Sequence, residues 1–339
     1  MMNRRDFTFK STVYLGGMMT KPLLSIHNSK SMSSKNLPGA LNSGDTIALI
    51  APGSSIPEEK IEKAKSNLHS LGLKTVEGRF IREKYGYTAG KDQERISDIH
   101  WAFGDNAIDA IWCIRGGYGC TRLLPHLNYD LIKKNPKILI GYSDITALHM
   151  AIFKKTGLTT FHGPVGSSEF TSFTSDYVKK MLFSSISGQT IEHYDPSEVI
   201  TLSRGTAKGK LIGGNLSLIS AMCGTKYLPS AKGKIVFLED IDEKPYRIDR
   251  MLVQLEQAWD LKKAKGIILG EFEGCDSDSD RSLTLLETLE NHFKGCRIPV
   301  LYKMPLGHID NQATYPIGIK AEMDAEKKKI VLLEEWVKD

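Results

Sequence analysis

Cysteine is scarce in this sequence, and long apolar runs are missing from it. The 339 residues include only five cysteines: Cys113, Cys120, Cys223, Cys275 and Cys296. Their odd number and wide, irregular spacing fit neither a disulfide framework nor a set of zinc ligands. No stretch approaches the roughly 20 uninterrupted apolar residues that a membrane-spanning helix needs, so we expect no stable membrane insertion. The H-E-x-x-H pattern is absent too, and we expect no metal and no other cofactor.

A large excess of charge of one sign is also missing. Lys and Arg number 45 and Asp and Glu 40, which leaves a formal net charge of +5. The basic residues are scattered among acidic ones and form no continuous stripe, which argues against nucleic-acid binding. Hydrophobic residues make up 41% and charged residues 25% of the chain, as in globular proteins, and the length suggests two domains.

The first 38 residues differ in character from the rest. Arg4 and Arg5 are followed by Phe7 and by a mildly apolar, glycine-containing run. This order resembles a twin-arginine export signal, which predicts a periplasmic protein. Lys21 interrupts the apolar run and no A-x-A cleavage site is obvious before Pro38, so a disordered leader on a cytoplasmic protein is the alternative.

From residue 45 onwards, short apolar runs alternate with amphipathic segments. Residues 46–52, 107–115 and 137–143 are typical of buried strands, and residues 57–72 have apolar side chains at helical spacing. Repeated strand-helix alternation with short connections predicts an α/β fold with a parallel sheet that is covered on both faces.

The composition divides the remaining chain into three parts. Residues 39–165 form the predicted N-terminal domain. A segment rich in Ser and Thr, residues 166–204, is interpreted as a connection with one short helix. A second α/β domain is predicted over residues 205–339.

Ser143 stands where an apolar strand is followed at once by a helix. A tight strand-to-helix turn at the carboxyl edge of a parallel sheet is where a nucleophilic serine and ligands are found. The N–H of Asp144 at the helix start could stabilise an oxyanion. Because Ile145 replaces the second glycine of the G-x-S-x-G pattern, simple helix capping by Ser143 is the alternative.

A glycine-rich turn, residues 115–119, follows another predicted strand and should lie at the same edge of the sheet. Three glycines allow a backbone to approach a ligand closely. The N–H of Gly117 is therefore a candidate for a second oxyanion donor, with a plain turn as the alternative.

A serine nucleophile needs a base and an acid that orients the base. Glu239 ends an apolar strand and opens an acidic cluster, and His308 follows another strand. A solvated loop and a structural histidine are the alternatives. His162, also after a strand, is a rival base.

The motifs GYSDIT, IRGGYG, GGNLS, VFLED followed by YRIDRM, and PLGHIDNQATYPIG occur in this order over residues 44–335. Together they resemble the LD-carboxypeptidase family, which includes muramoyl-tetrapeptide carboxypeptidases and microcin C immunity peptidases. The resemblance implies a flavodoxin-like N-terminal domain, a smaller α/β C-terminal domain and an active site in the cleft between them.

The same resemblance implies site residues and a substrate. Ser143 would be the nucleophile, Glu239 the acid and His308 the base, with the N–H groups of Gly117 and Asp144 as the oxyanion hole. The implied substrate is a murein tetrapeptide that loses its terminal D-alanine, and the family suggests a homodimer. Arg115 and Asn215 are candidate substrate contacts.

Two other functions remain open at this stage. An immunity-type peptidase that cleaves an aminoacyl-nucleotide amide would need an aromatic platform, for which Phe161, Phe170 and Phe173 are candidates, although packing roles suit them as well. A non-catalytic muropeptide-binding protein is the third possibility, but it would have no need for Ser143, Glu239 and His308 together.

Overall fold

The computed structural model describes residues 36–338. The predicted export signal and the rest of the leader up to residue 35 lie outside the described residues, as does residue 339. Within the described range, no helix has the length and apolar character needed to cross a bilayer.

Fourteen strands and nine α-helices are formed by the described residues. The strands are β1 (Thr46–Ile50), β2 (Lys74–Glu77), β3 (Ala110–Cys113), β4 (Ile138–Gly141), β5 (Phe161–His162), β6 (Thr190–Glu192), β7 (Ile200–Ser203), β8 (Thr206–Asn215), β9 (Ile235–Ile241), β10 (Gly266–Glu273), β11 (Val300–Tyr302), β12 (Tyr315–Pro316), β13 (Lys320–Asp324) and β14 (Lys329–Leu332). The helices are α1 (Glu58–Ser70), α2 (Asp92–Gly104), α3 (Cys120–Leu123), α4 (Tyr129–Lys134), α5 (Thr146–Thr156), α6 (Ser172–Leu182), α7 (Leu216–Ala221), α8 (Pro245–Ala258) and α9 (Leu285–Phe293).

The first sheet has six strands in the order β12-β5-β4-β3-β1-β2. Strands β1 to β5 run parallel, and every residue of β3 and β4 is buried. Continuous burial is what parallel strands with helices on both faces require, and it explains why these segments are unbroken apolar runs. The predicted α/β architecture with a parallel sheet is present.

The second sheet is mixed and has eight strands in the order β6-β14-β13-β8-β9-β10-β11-β7. Strands β8 to β11 are parallel and form its centre. Antiparallel strands complete both edges. The carboxyl end of β9 brings Glu239 and Asp240 to the side of the sheet that meets the first sheet.

Two features differ from the sequence-based interpretation. The segment 166–204 contains α6 and also β6 and β7, which pair at opposite edges of the second sheet, so it is more than a connection with one short helix. The C-terminal run around Tyr315 forms two strands that belong to different sheets. Strand β12 pairs antiparallel with β5 of the first sheet, while β13 joins the second sheet. The last part of the chain therefore contributes to both sheets.

The start of α5 and the end of β8 are in direct contact. The N–H of Asn215 donates to Thr146 Oγ1 over 3.0 Å. At Gly214, which has a φ of 144°, an added Cβ would collide with the Thr146 side chain. Glycine at this position lets the second sheet approach the helix that begins just after Ser143.

Candidate active site

Ser143 lies in a strained turn between β4 and α5. Its φ is 63°, in the left-handed region that residues other than glycine seldom adopt, and it begins a 3-10 turn, Ser143–Ile145, that leads into the helix. Within the described residues the Ser143 hydroxyl makes no capping hydrogen bond, and the N-cap position of α5 belongs to Ile145. A strained turn that presents a serine between strand and helix is the geometry of a hydrolase nucleophile.

The glycine-rich turn after β3 packs against this serine. A Cβ at Gly116 would lie 2.8 Å from Ser143 Cβ and 3.0 Å from the backbone N of Asp144, so a side chain here would displace the serine or block the N–H. Gly117 has a φ of 92°, and its N–H donates no hydrogen bond to any described residue. The N–H groups of Gly117 and Asp144 thus lie on adjoining turns next to the Ser143 side chain.

The side chain of Asp144 joins the two turns. Its Oδ2 accepts a hydrogen bond of 2.8 Å from the N–H of Cys120, at the start of α3. Burial raises the pKa of the Asp144 carboxyl above its ordinary value. The buried contact fixes the position of the Asp144 backbone relative to the glycine-rich turn.

His308 and Glu239 form a hydrogen-bonded pair. Nδ1 of His308 lies 2.8 Å from Glu239 Oε2, and the glutamate side chain is fully buried while that of His308 is 15% exposed. Burial of the ring opposes its protonation, but the hydrogen bond and the negative charge of Glu239 outweigh burial and raise the pKa of His308 above its ordinary value. Tyr142 also packs on the His308 ring, with ring centroids 4.8 Å apart in an edge-to-face contact.

Ser143 and His308 line the same cleft, which has a volume of about 650 Å³. Glu239 lies behind His308, out of solvent. Among the described residues no hydrogen bond joins the Ser143 hydroxyl to the His308 ring; in enzymes without substrate such contacts are often long. The other residues that line this cleft are Ile56, Pro57, Lys60, Arg115, Gly116, Gly117, Tyr142, Val165, Ser167, Ser168 and Ile241.

The rival base, His162, occupies a different environment. It is fully buried in β5, away from the cleft lining, and its ring contacts Tyr142 and Phe237 edge-to-face. Burial lowers the pKa of His162 well below its ordinary value, and the neighbouring His149 and His308 lower it further. Within the described residues neither ring nitrogen has a hydrogen-bond partner, and no carboxylate orients the ring.

The two candidate substrate contacts are placed differently. Arg115 lines the cleft, and its Nη1 donates to the carbonyl oxygen of Ser55 over 3.1 Å. Asn215 is 3% exposed and does not line the cleft. Its side chain caps α7 by accepting from the N–H of Leu218 and donates to Asp240 Oδ1, so both ends of the Asn215 amide are hydrogen-bonded within the protein, and its substrate contact stays a prediction.

The three candidate platform phenylalanines do not line the cleft either. Phe161 is buried in β5, Phe170 packs on Trp112 with centroids 5.9 Å apart, and Phe173 packs on Tyr177 at 4.8 Å. These are packing positions.

Two residues near the site were not singled out from the sequence. Tyr142 contacts His308, and its place beside Ser143 was the only sequence clue to this. Lys60 lines the cleft from the first turns of α1, a position that looks like an ordinary solvated lysine in the helical pattern.

Two family models match the chain. The N-terminal domain of LD-carboxypeptidases matches residues 47–163, and the C-terminal domain matches residues 208–323. The chain belongs to the LD-carboxypeptidase family. The family confirms the predicted enzyme class, a serine-type carboxypeptidase, and the predicted two-domain α/β fold.

Individual relatives of this LD-carboxypeptidase agree with the family match. A probable murein peptide carboxypeptidase of Bacillus subtilis is 39% identical over 298 residues, which cover 87% of this chain and 93% of the relative. The structure of a muramoyltetrapeptide carboxypeptidase from Oxalobacter formigenes is similar with a TM-score of 0.74 and 32% identity, over 84% of this chain and 97% of that chain.

A microcin self immunity protein, MccF, has a similar structure as well. The TM-score is 0.83 at 27% identity, over 89% of this chain and 99% of that chain. Another structure of the same protein is a complex with aspartyl sulfamoyl adenosine. The two-domain α/β fold is therefore shared by a muramoyltetrapeptide carboxypeptidase and by a self immunity protein that forms a complex with aspartyl sulfamoyl adenosine.

Proposed function

We propose that this LD-carboxypeptidase hydrolyses the peptide bond before the terminal D-alanine of murein tetrapeptides, with Ser143 as nucleophile. The observation that carries the proposal is the cleft that is lined both by Ser143 and by His308, whose ring is hydrogen-bonded to buried Glu239 over 2.8 Å. The similarity to carboxypeptidases of murein peptides supplies the substrate class.

The acylation step begins with proton transfer. His308, through the ring nitrogen that does not face Glu239, takes the proton of the Ser143 hydroxyl, and the oxygen attacks the carbonyl carbon of the residue before D-alanine. The oxyanion accepts hydrogen bonds from the N–H groups of Gly117 and Asp144. Glu239 holds the imidazole in one tautomer and offsets the charge of the imidazolium.

The intermediate then collapses. The carbon-nitrogen bond breaks as His308 returns its proton to the nitrogen of D-alanine, which leaves with a free amino group. Water, with His308 as base, then attacks the carbonyl carbon of the acyl-enzyme and releases the acyl group from Ser143.

A second candidate is the immunity-type cleavage of an aminoacyl-nucleotide amide. The overall similarity to the self immunity protein favours it. The position of Phe161, Phe170 and Phe173 away from the cleft disfavours it, because these rings cannot stack a base from packing positions.

A defined tetrapeptide and an aspartyl sulfamoyl adenosine, incubated separately with the enzyme, test the proposal. We expect mass spectrometry to detect D-alanine and the tripeptide from the first substrate and much slower cleavage of the second. Cleavage of the nucleotide analogue alone would replace the proposed function by the second candidate.

We also propose that the enzyme is exported by the twin-arginine route and acts on periplasmic stem peptides. Arg4, Arg5 and Phe7 support this proposal. A homodimer is proposed from the family resemblance, and sedimentation velocity over a concentration series tests it.

A further inference from the structure

Two positively charged side chains line the cleft and form no close ion pair with a carboxylate. Lys60 and Arg115 share the cleft with Ser143 and His308. In residues 36–338 neither of the two forms a close ion pair: Arg115 donates only to the carbonyl oxygen of Ser55, and Lys60 has a longer-range electrostatic interaction with Glu169. The charge of both groups is therefore available to a ligand in the cleft.

Cations on the same structural elements are paired, in contrast. Lys63, one turn along α1 from Lys60, contacts Glu169. Arg122, in the helix that follows the glycine-rich turn, lies 2.8 Å from Asp92. The unpaired charges are thus a local property of the cleft, where low-dielectric walls strengthen the attraction of an anion.

Arg115 lines the cleft directly before the glycine that packs on the nucleophile. The next residue, Gly116, packs so closely on Ser143 that a Cβ there would be 3.0 Å from the serine Oγ. In a carboxypeptidase substrate the terminal carboxylate is only two bonds from the nitrogen of the bond that breaks. A guanidinium one residue from the contact with the nucleophile is within reach of that carboxylate.

We propose that Arg115 binds the α-carboxylate of the C-terminal residue of the substrate and that Lys60 adds a weaker, longer-range attraction. The planar guanidinium can donate two parallel hydrogen bonds to a carboxylate, which a lysine cannot do. The inference rests on the proposed function and extends it: this pair makes the enzyme an exopeptidase by requiring a free chain end.

The test compares one tetrapeptide with its C-terminal carboxamide, which has the same scissile bond and no terminal charge. Wild-type enzyme should cleave the acid with a much higher kcat/KM than the amide. Arg115→Gln should lower kcat/KM for the acid by about 30-fold, mostly through KM, and change the value for the amide by less than about two-fold, since a charge-assisted hydrogen bond is lost only for the acid. The kcat/KM of Arg115→Lys for the acid should lie between the values for the wild type and for Arg115→Gln.

Two further variants complete the experiment. Lys60→Gln should lower kcat/KM for the acid by about three-fold, as expected for an exposed charge that acts over distance. Arg122→Gln, which removes a paired cation at the same edge of the sheet, is the matched control and should preserve the preference for the acid.

The outcomes separate the two proposals. Equal losses on acid and amide in Arg115→Gln, or a wild-type enzyme without preference for the acid, would overturn the carboxylate site and leave the proposed function intact. If the wild-type enzyme cleaves neither peptide, so that no D-alanine leaves the acid and no D-alaninamide leaves the amide, both proposals are wrong.

Discussion

At the scale of single residues, His308 is subject to two opposed influences. Burial favours its neutral form, and the hydrogen bond and charge of Glu239 favour the imidazolium more strongly, so the pKa of His308 is raised. A general base must be neutral to accept a proton. The activity should therefore be lost as the pH falls through this raised pKa.

Glu239→Gln tests this reasoning. Without the negative charge, burial prevails and the pKa of His308 should fall, so the acid limb of kcat/KM should move to lower pH. The maximal rate should drop by about 10³- to 10⁴-fold because the tautomer is no longer fixed. Measured pH–rate profiles check both effects. Asp242→Asn, which removes a weaker electrostatic influence on the same ring, should move the limb only slightly. An unmoved limb in Glu239→Gln would contradict the account.

The backbone of Ser143 offers a second prediction at this scale. With φ at 63°, any residue with a Cβ is strained, and glycine is not. Ser143→Gly should be inactive, like Ser143→Ala, but its free energy of unfolding should exceed that of Ser143→Ala by about 1 kcal/mol. Urea denaturation measures the difference.

A control pair for the backbone effect is available in α6. Ser175 lies within this helix, where glycine is unfavourable, so Ser175→Gly should be less stable than Ser175→Ala. If the Gly variant were less stable than the Ala variant at both positions, the turn at Ser143 would not be strained.

At the scale of elements, the end of β9 and the start of α7 are joined by buried hydrogen bonds. Asp240 accepts from the side chain of Asn215 over 3.0 Å and from the N–H and hydroxyl of Ser217. Glu239, the next residue in the strand, is thereby held on an element that is fixed at its carboxyl end.

Asn215→Ala separates a structural role from a substrate contact. The loss of the helix cap and of a buried hydrogen bond should lower the free energy of unfolding by about 2 kcal/mol, and KM for the tetrapeptide should stay within about two-fold. Asn128→Ala, which removes the exposed cap of α4, is the control with a loss of about 1 kcal/mol. A ten-fold higher KM without loss of stability would show that Asn215 contacts the substrate.

The elements also show how far sequence reasoning reaches. The unbroken apolar runs of β3 and β4 predicted buried parallel strands, and the position of Ser143 after such a run predicted its turn. The pairing of β12 with β5 could not be predicted from the sequence, because a strand of two residues has no periodicity of its own.

Side-chain environments set by distant parts of the chain could not be predicted either. The burial of His162 depends on β12, and the role of Asn215 depends on where Asp240 lies. Motif order placed Glu239 and His308 together, but only their contact distance identifies them as a pair.

At the scale of the whole molecule, neither sheet contains a complete site. The first sheet positions Ser143 and the glycine-rich turn, and the second positions Glu239 through β9 and His308 after β11. The contact of Asn215 with Thr146 and the pairing of β12 on β5 hold the two sets of residues in register.

Export concerns the molecule as a whole and is tested in cells. Replacing Arg4 and Arg5 together by Lys should move the enzyme from the periplasmic to the cytoplasmic fraction, since the arginine pair is what the translocase receptor reads. Lys21→Gln should preserve export. Equal periplasmic amounts of wild type and the double variant would reject the twin-arginine route.

The central claim is that a proton passes from Ser143 to His308 during peptide cleavage. Release of D-alanine from a defined tetrapeptide by wild type, Ser143→Ala, His308→Ala and the double variant tests it most directly. Residues that act as a unit should each lower kcat by about 10⁵- to 10⁶-fold, and the double variant should lose little more than either single one. Release of D-alanine by Ser143→Ala at the wild-type rate, or losses that multiply in the double variant, would contradict the account.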